Sequence, residues 1–153
     1  MSAVRAVETL ADAQALREIR NECREYMTGS TSTVTWREQE DFFYGQILPG
    51  RVRALVFSEQ EGSPAVAYAL LRPDLNKRLG YVSAGVTAPM RGKGYGRIAI
   101  QTITMFSHGL FKHAVCEIRC DNAASLRTCF KIGYRQTASY ELNGIMVARL
   151  EYL

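Results

Sequence analysis

The sequence predicts a single α/β domain, of the mixed α+β kind, in which a central mixed sheet is flanked by helices. Three observations predict it. Apolar residues alternate between helical and two-residue spacing in the order βαα-βββ-αβ-αββ along the chain. A length of 153 residues, 47 % hydrophobic and 22 % charged, suits one domain spanning 1–153 with its own core. The last two predicted strands flank Asn143-Gly144, the dipeptide that a tight hairpin turn prefers.

Taken in order, Val4 to Val7 reads as a first strand. Thr9 with Asp12 resembles a helix N-cap, opening a helix through roughly Met27 whose apolar positions include Leu10, Ala13, Leu16, Ile19, Cys23 and Tyr26. The polar stretch from Thr28 to Thr33 is a loop. Thr35 and Glu38 form a capping box for a second helix, which carries Trp36, Phe42, Phe43, Ile47 and Leu48 and ends at Pro49-Gly50.

The period then changes. Arg51 to Ser58 and Ala65 to Leu71 read as strands, Arg72 to Leu79 as a loop, and Gly80 to Thr87 as another strand. Helical spacing returns from Gly94 to about Phe111, with Tyr95, Ile98, Ala99, Ile103, Phe106 and Leu110 on one face. Ala114 to Cys120 is a strand, Asn122 to Ile132 a short helix, and Tyr134 to Leu142 pairs with Ile145 to Tyr152.

Composition excludes several classes. No apolar run approaches the ~20 residues that span a bilayer, and the first ten residues lack the apolar core of a secretory signal. A cytoplasmic protein without membrane association is expected. Cys23, Cys116, Cys120 and Cys129 form no CxxC pair and no metal-ligand spacing, so four reduced thiols and no metal are expected. The net charge of +4 is mild, and no basic block or aromatic-basic interleaving marks a nucleic-acid surface. A phosphate-rich small ligand fits better than a polymer.

The sharpest motif is Arg91-Gly92-Lys93-Gly94-Tyr95-Gly96-Arg97, between a predicted strand and a helix start. Glycines there let the backbone approach a ligand, and successive N–H groups at a helix N-terminus make an anion pocket. It lacks the spacing of a Walker loop and of a strict GxGxxG. Gly85, inside the preceding strand, predicts a bulge or a close backbone approach. Downstream, Asn122-Ala123-Ala124-Ser125 reads as a capped helix start and Gly133 as its C-cap.

These two motifs resemble the GNAT N-acetyltransferase superfamily. Arg91, Gly94 and Gly96 match its [RQ]-x-x-G-x-[GA] pyrophosphate loop, and Asn122, Ser125, Gly133 and Tyr134 match its N-x-x-[AS]…G-[FY] segment. The resemblance implies the GNAT-like acyl-CoA N-acyltransferase fold, its mixed sheet mostly antiparallel, with about four helices. It implies acetyl-CoA as co-substrate, with the strands of Val86 and Val115 splaying to admit the pantetheine. The backbone from Arg91 to Arg97 then holds the pyrophosphate, Val86 N–H faces the thioester carbonyl, and Asn122 bonds the pantetheine. Lys93, Arg97 and Lys131 are candidates for phosphate contact.

The chain departs from the family at position 129, where Cys stands in place of the Tyr thought to protonate the departing thiolate. Cys129 is therefore a candidate acid, with Tyr134 and Tyr140 as others. Glu117 or a water chain is the candidate base, while Glu38, Glu40 and Asp41 are candidates to attract a cationic amine. Trp36 is placed either in the acceptor site or in the core, and His108 and His113 close the long helix. The expected activity is acetyl transfer to a primary amine, with a small-molecule acceptor favoured. Protein N-terminal or lysine acetylation, or weakly catalytic CoA binding, is the alternative. A homodimer is left open.

Overall fold

The computed structural model describes residues 2–153. Seven strands form one sheet: β1 (Ala3–Ala6), β2 (Arg53–Ser58), β3 (Ala65–Asp74), β4 (Leu79–Val86), β5 (Ala114–Arg119), β6 (Arg135–Leu142) and β7 (Ile145–Tyr152). Four α-helices complete it: α1 (Leu10–Glu22), α2 (Trp36–Phe42), α3 (Tyr95–Phe111) and α4 (Ala123–Ile132). The strand order is β1-β2-β3-β4-β5-β7-β6, and only the β4–β5 pair is parallel.

Local chemistry sets the element ends. The Thr9 hydroxyl accepts from Asp12 N–H at 3.2 Å, and Thr35 and Glu38 close both bonds of a capping box. Asn143 and Gly144 both have positive φ, as the tight turn between β6 and β7 requires.

Several expectations are corrected. Helix α1 stops at Glu22 instead of reaching Met27; Cys23 caps it, and a single 3₁₀ turn, Arg24–Tyr26, follows. Helix α2 continues into one π-helical turn, Phe43–Ile47. Strand β3 runs three residues past Leu71 to Asp74, so the expected loop from Arg72 to Leu79 shrinks to a tight turn. Pro73 is tolerated there because β2 joins β3 no further than Leu71, leaving the proline nitrogen on an unpaired edge.

The buried face of α3 is rotated from the expected one. Ala99, Ile100, Ile103, Thr104 and Ser107 are buried, whereas Ile98, Phe106 and Leu110 are exposed. The two buried hydroxyls are bonded: Thr104 Oγ1 lies 2.5 Å from Tyr134 Oη, and Ser107 donates to His113 carbonyl at 2.7 Å. Apolar spacing cannot see a polar residue that is buried because it is satisfied.

Two cores lie on opposite faces of the sheet. Helices α3 and α4 cover one, with Phe57, Leu71, Val82, Ile103, Cys116 and Leu150 at its centre. Helices α1 and α2 cover the other, and that cluster draws its sheet residues from β2 and β3 alone. On this second face β5, β7 and β6 therefore present a different, partly polar surface. No helix among the described residues is long and apolar enough to cross a membrane.

Candidate active site

Strands β4 and β5 pair at only two positions, Gly80 with Ala114 and Tyr81 with Val115. Beyond them β4 runs on to Val86 and β5 to Arg119 without a shared rung. The V-shaped gap expected from the resemblance is present. Its phase follows from one hydrogen bond. Thr87 N–H donates to Val66 carbonyl at 2.9 Å, which makes Ala67 and Val86 a non-hydrogen-bonded pair of the β3–β4 ladder. The main-chain N–H and C=O of Val82, Ala84 and Val86 are thereby turned away from β3 and toward the gap.

The glycine loop follows directly. A 3₁₀ turn, Ala88–Met90, leads from β4 into it, and Gly92 and Gly94 take φ of 79° and 91°. A Cβ at either would meet nothing within 4 Å, so backbone conformation and not crowding calls for glycine. Gly94 caps α3 with no side-chain bond, and the first intrahelical bond runs from Ile98 N–H to Gly94 carbonyl. The N–H groups of Tyr95, Gly96 and Arg97 thus have no partner within the helix and bear the positive end of its dipole. This donor set suits a diphosphate, and the open gap beside it suits an extended tail with amide groups of its own.

The Arg91 side chain folds back from the loop. Its Nε donates to Val86 carbonyl and an Nη to Glu22 carbonyl, both at 3.2 Å, and its guanidinium lies 5.4 Å from the Tyr26 ring centroid. Cys23 Sγ also meets Val86 carbonyl, at 3.4 Å, and Thr87 donates to Glu22 Oε2 at 2.6 Å. The end of α1 is thereby braced against the end of β4. Cys23, Glu22 and Tyr26 were not expected in this role, since no local pattern signals a contact across more than sixty residues.

Gly85 marks a close approach and not a bulge. The β3–β4 register is unbroken, and a Cβ at Gly85 would come 2.5 Å from the ring of Tyr68 directly opposite.

The sequence profile of the Acetyltransferase (GNAT) family matches residues 13–134. The chain belongs to the GNAT acetyltransferase family. As a member it is an acetyl-CoA-dependent N-acetyltransferase. No curated protein matches it. Solved structures share the fold. A spermidine N-acetyltransferase from Vibrio cholerae in complex with CoA and spermine is 16 % identical, with a TM-score of 0.82 over 99 % of this chain and 95 % of that one. A ribosomal-protein-alanine N-acetyltransferase from Brucella melitensis is 21 % identical, with a TM-score of 0.82 over 99 % of each chain. A Salmonella typhimurium protein solved with its cofactor acetyl-CoA is 21 % identical, with a TM-score of 0.81 over 99 % of this chain and 93 % of that one.

Within this GNAT domain, Asn122 Oδ1 accepts from Ser125 N–H at 3.3 Å, so both residues shape the start of α4 across the gap from the glycine loop. Lys93, Arg97 and Lys131 are exposed. Cys129, on the inner side of α4, is only 1 % exposed and its thiol meets that of Cys116. That contact, with burial, pushes the Cys116 thiol upward. Tyr134 is buried against Thr104, and burial followed by neighbouring thiol charge drives its hydroxyl far above the usual range.

Glu117 and Tyr140 come together instead. The Tyr140 hydroxyl donates to Glu117 Oε2 on the face of β5 away from α3 and α4. Desolvation and this bond push the phenol up to about 12. Nearby, a cleft of about 450 Å³ opens between Glu25, Tyr26, Thr31, Arg119 and Asp121. Glu38 is spent on its capping box, where the Thr35 N–H holds its carboxylate below the usual range. Glu40 and Trp36 are half-buried and Asp41 is exposed. His108 stacks edge-on with Tyr152, and His113 carbonyl serves the β4–β5 junction.

Proposed function

We propose that this acetyltransferase moves an acetyl group from acetyl-CoA directly to the primary amine of a small molecule. The observation that carries the reading is the β4–β5 ladder, which stops at Tyr81 and Val115 with the glycine loop immediately beyond. Bound acetyl-CoA supplies the activated thioester; the chain supplies position, polarisation and a path for the proton.

The backbone of Gly92, Lys93, Gly94, Tyr95, Gly96 and Arg97 holds the diphosphate, with Arg91 fixing the loop through its brace to α1. The edges of β4 and β5, with Asn122 and Ser125 at the α4 end, receive the pantetheine. Val86 N–H donates to the thioester carbonyl oxygen, and one fixed donor at such an oxygen is worth roughly 3–4 kcal/mol. An ammonium acceptor first loses a proton, its nitrogen bonds to the carbonyl carbon, and the C–S bond breaks. The products are an amide, the CoA thiol and one net proton. Glu117, bonded to Tyr140 on the open face, receives the amine's proton. We infer that Cys129 packs the core and that thiolate leaves without its help, because the thiol is enclosed with Cys116 on the helix side.

A small acceptor is favoured over a peptide by the strap across the entrance. Arg119 Nη1 donates to Glu25 carbonyl at 2.8 Å, and Asn143 Nδ2 donates to Gly29 carbonyl at 3.4 Å. These bonds tie the α1–α2 connection to β5 and to the final hairpin, where an extended chain would have to pass. Thiol release from acetyl-CoA across simple amines, polyamines, amino acids and peptides tests the reading. Release with small amines is expected; release with peptides alone would reassign the acceptor class, and none would leave a CoA-binding module.

A further inference from the structure

Glu117 and Arg149 stand directly opposite each other in the β5–β7 register, yet they do not pair. Side chains facing each other across neighbouring antiparallel strands have Cβ atoms roughly 5 Å apart, and opposite charges there ordinarily attract. Here each turns elsewhere. Glu117 meets Tyr140 on one side. Arg149 lies against the phenols of Tyr81 and Tyr140, its guanidinium 5.9 Å from the ring centroid of Tyr81, and among the described residues its one ion pair is to Glu151 at 3.8 Å, too long for a good hydrogen bond. All of these residues are half-buried.

Their placement follows from strand alternation. Tyr81 ends the last rung between β4 and β5, and Val115, Glu117 and Arg119 share one face of β5. Arg149 and Glu151 lie beside them on β7. The row begins at the bottom of the gap and ends at Arg119, in the wall of the 450 Å³ cleft. A carboxylate and a guanidinium thus flank one spot where the gap meets the open face, linked through the Tyr140 phenol and not by a direct ion pair, so that the carboxylate's other oxygen and part of the five-donor guanidinium fork are left to bind a ligand.

We propose that the acceptor is a short zwitterion, an α-amino acid, whose ammonium sits at Glu117 and whose carboxylate is taken by the Arg149 fork. This rests on the transferase reading above and names the substrate class for it. The guanidinium matches a carboxylate with two parallel N–H bonds, and Tyr81 holds its plane from below. A polyamine fits less well, because its second ammonium would have to lie against Arg149, and like-charge juxtaposition is a strong means of rejecting a wrong partner. A simple alkylamine would leave the guanidinium without the anion it is set to receive.

The test compares amino acids with their own carboxamides, which keep the amine and lose only the anion. Thiol release from acetyl-CoA is followed for a panel of L-amino acids, the matching amides, alkylamines and spermidine. The expected result is turnover of amino acids with kcat/KM about 10–100-fold above the amides, the worth of a hydrogen-bonded charge. Arg149→Met is expected to erase that preference through KM while leaving acetyl-CoA affinity by calorimetry unchanged, and Arg149→Lys to restore part of it. The ligand comparison needs no variant and so survives a misfolded one. Equal rates for acids and amides, or preference for spermidine or alkylamines, would overturn the zwitterion inference while leaving the transferase reading intact. No thiol release from any acceptor would overturn both.

Discussion

Tyr81 and Val115 form the last rung that joins β4 to β5; past it the two strands run in the same direction without a shared rung. This parallel pair stops after two positions, which leaves the outward-facing amides of Val82, Ala84 and Val86 without a strand partner in the gap. The glycine loop begins five residues after Val86, so the donors proposed for a diphosphate and the opening proposed for its tail belong to one continuous stretch of chain.

The loop prediction separates charge from strain. Gly94 has a φ of 91° and open space around its Cα hydrogen, so any L-residue there pays about 1–2 kcal/mol in backbone strain. Gly94→Asn and Gly94→Asp share that cost, but only Asp adds a negative charge beside the proposed diphosphate site. Calorimetry with acetyl-CoA is expected to show weakened binding for Asn and none for Asp. Equal affinities for the two variants would take the loop out of the site.

Gly85 yields a stability prediction. Adding one methyl forces it against the ring of Tyr68, which is 1 % exposed, and against Cys23 Sγ at 3.1 Å. Overpacking of this kind costs roughly 1–3 kcal/mol. Thermal denaturation of Gly85→Ala is expected to show a midpoint lowered by about 3–10 °C, and an unchanged midpoint would mean that the ring moves aside freely.

Cys129 is expected to be packing. Cys129→Ala should keep the wild-type shape of the kcat–pH profile, with a modest loss of stability. A fall in turnover confined to the acidic side would instead mark the thiol as the proton donor, the role its place in the family motif suggests.

The Tyr140 phenol, raised to about 12 by desolvation and by its bond to Glu117, sets a sign for stability at high pH. A group whose folded pKa lies above its unfolded value of ~10 contributes stability that is complete below pH ~10. That contribution is lost as the pH rises toward about 12. Urea unfolding of wild type and Tyr140→Phe should therefore converge between these limits, the wild type losing its advantage as alkalinity increases. Curves that stay parallel would show that the Tyr140–Glu117 bond adds nothing to the folded state.

Much of the fold was legible because local rules wrote it. Thr9, Thr35 with Glu38, Gly94, Gly133 and Asn143-Gly144 each mark an element end by a bond or a dihedral that their own neighbours determine. The glycine loop and the Asn122 cap were legible for the same reason. What escaped depends on distant partners. Thr104 and Ser107 look like surface residues until Tyr134 and the His113 carbonyl arrive to bond them. The brace from Arg91 to Glu22, the Tyr140–Glu117 bond and the unpaired opposition of Glu117 and Arg149 arise from sheet order, which no short window of residues contains.

An amide NMR titration with CoA, followed residue by residue, decides whether the glycine loop and the free edge of β4 receive the cofactor. The largest shifts are expected on Gly92 to Arg97 and on Val82, Ala84 and Val86, whose N–H groups face the loop and the gap. Shifts centred on another surface, with those amides unmoved at saturation, would contradict that placement of the cofactor.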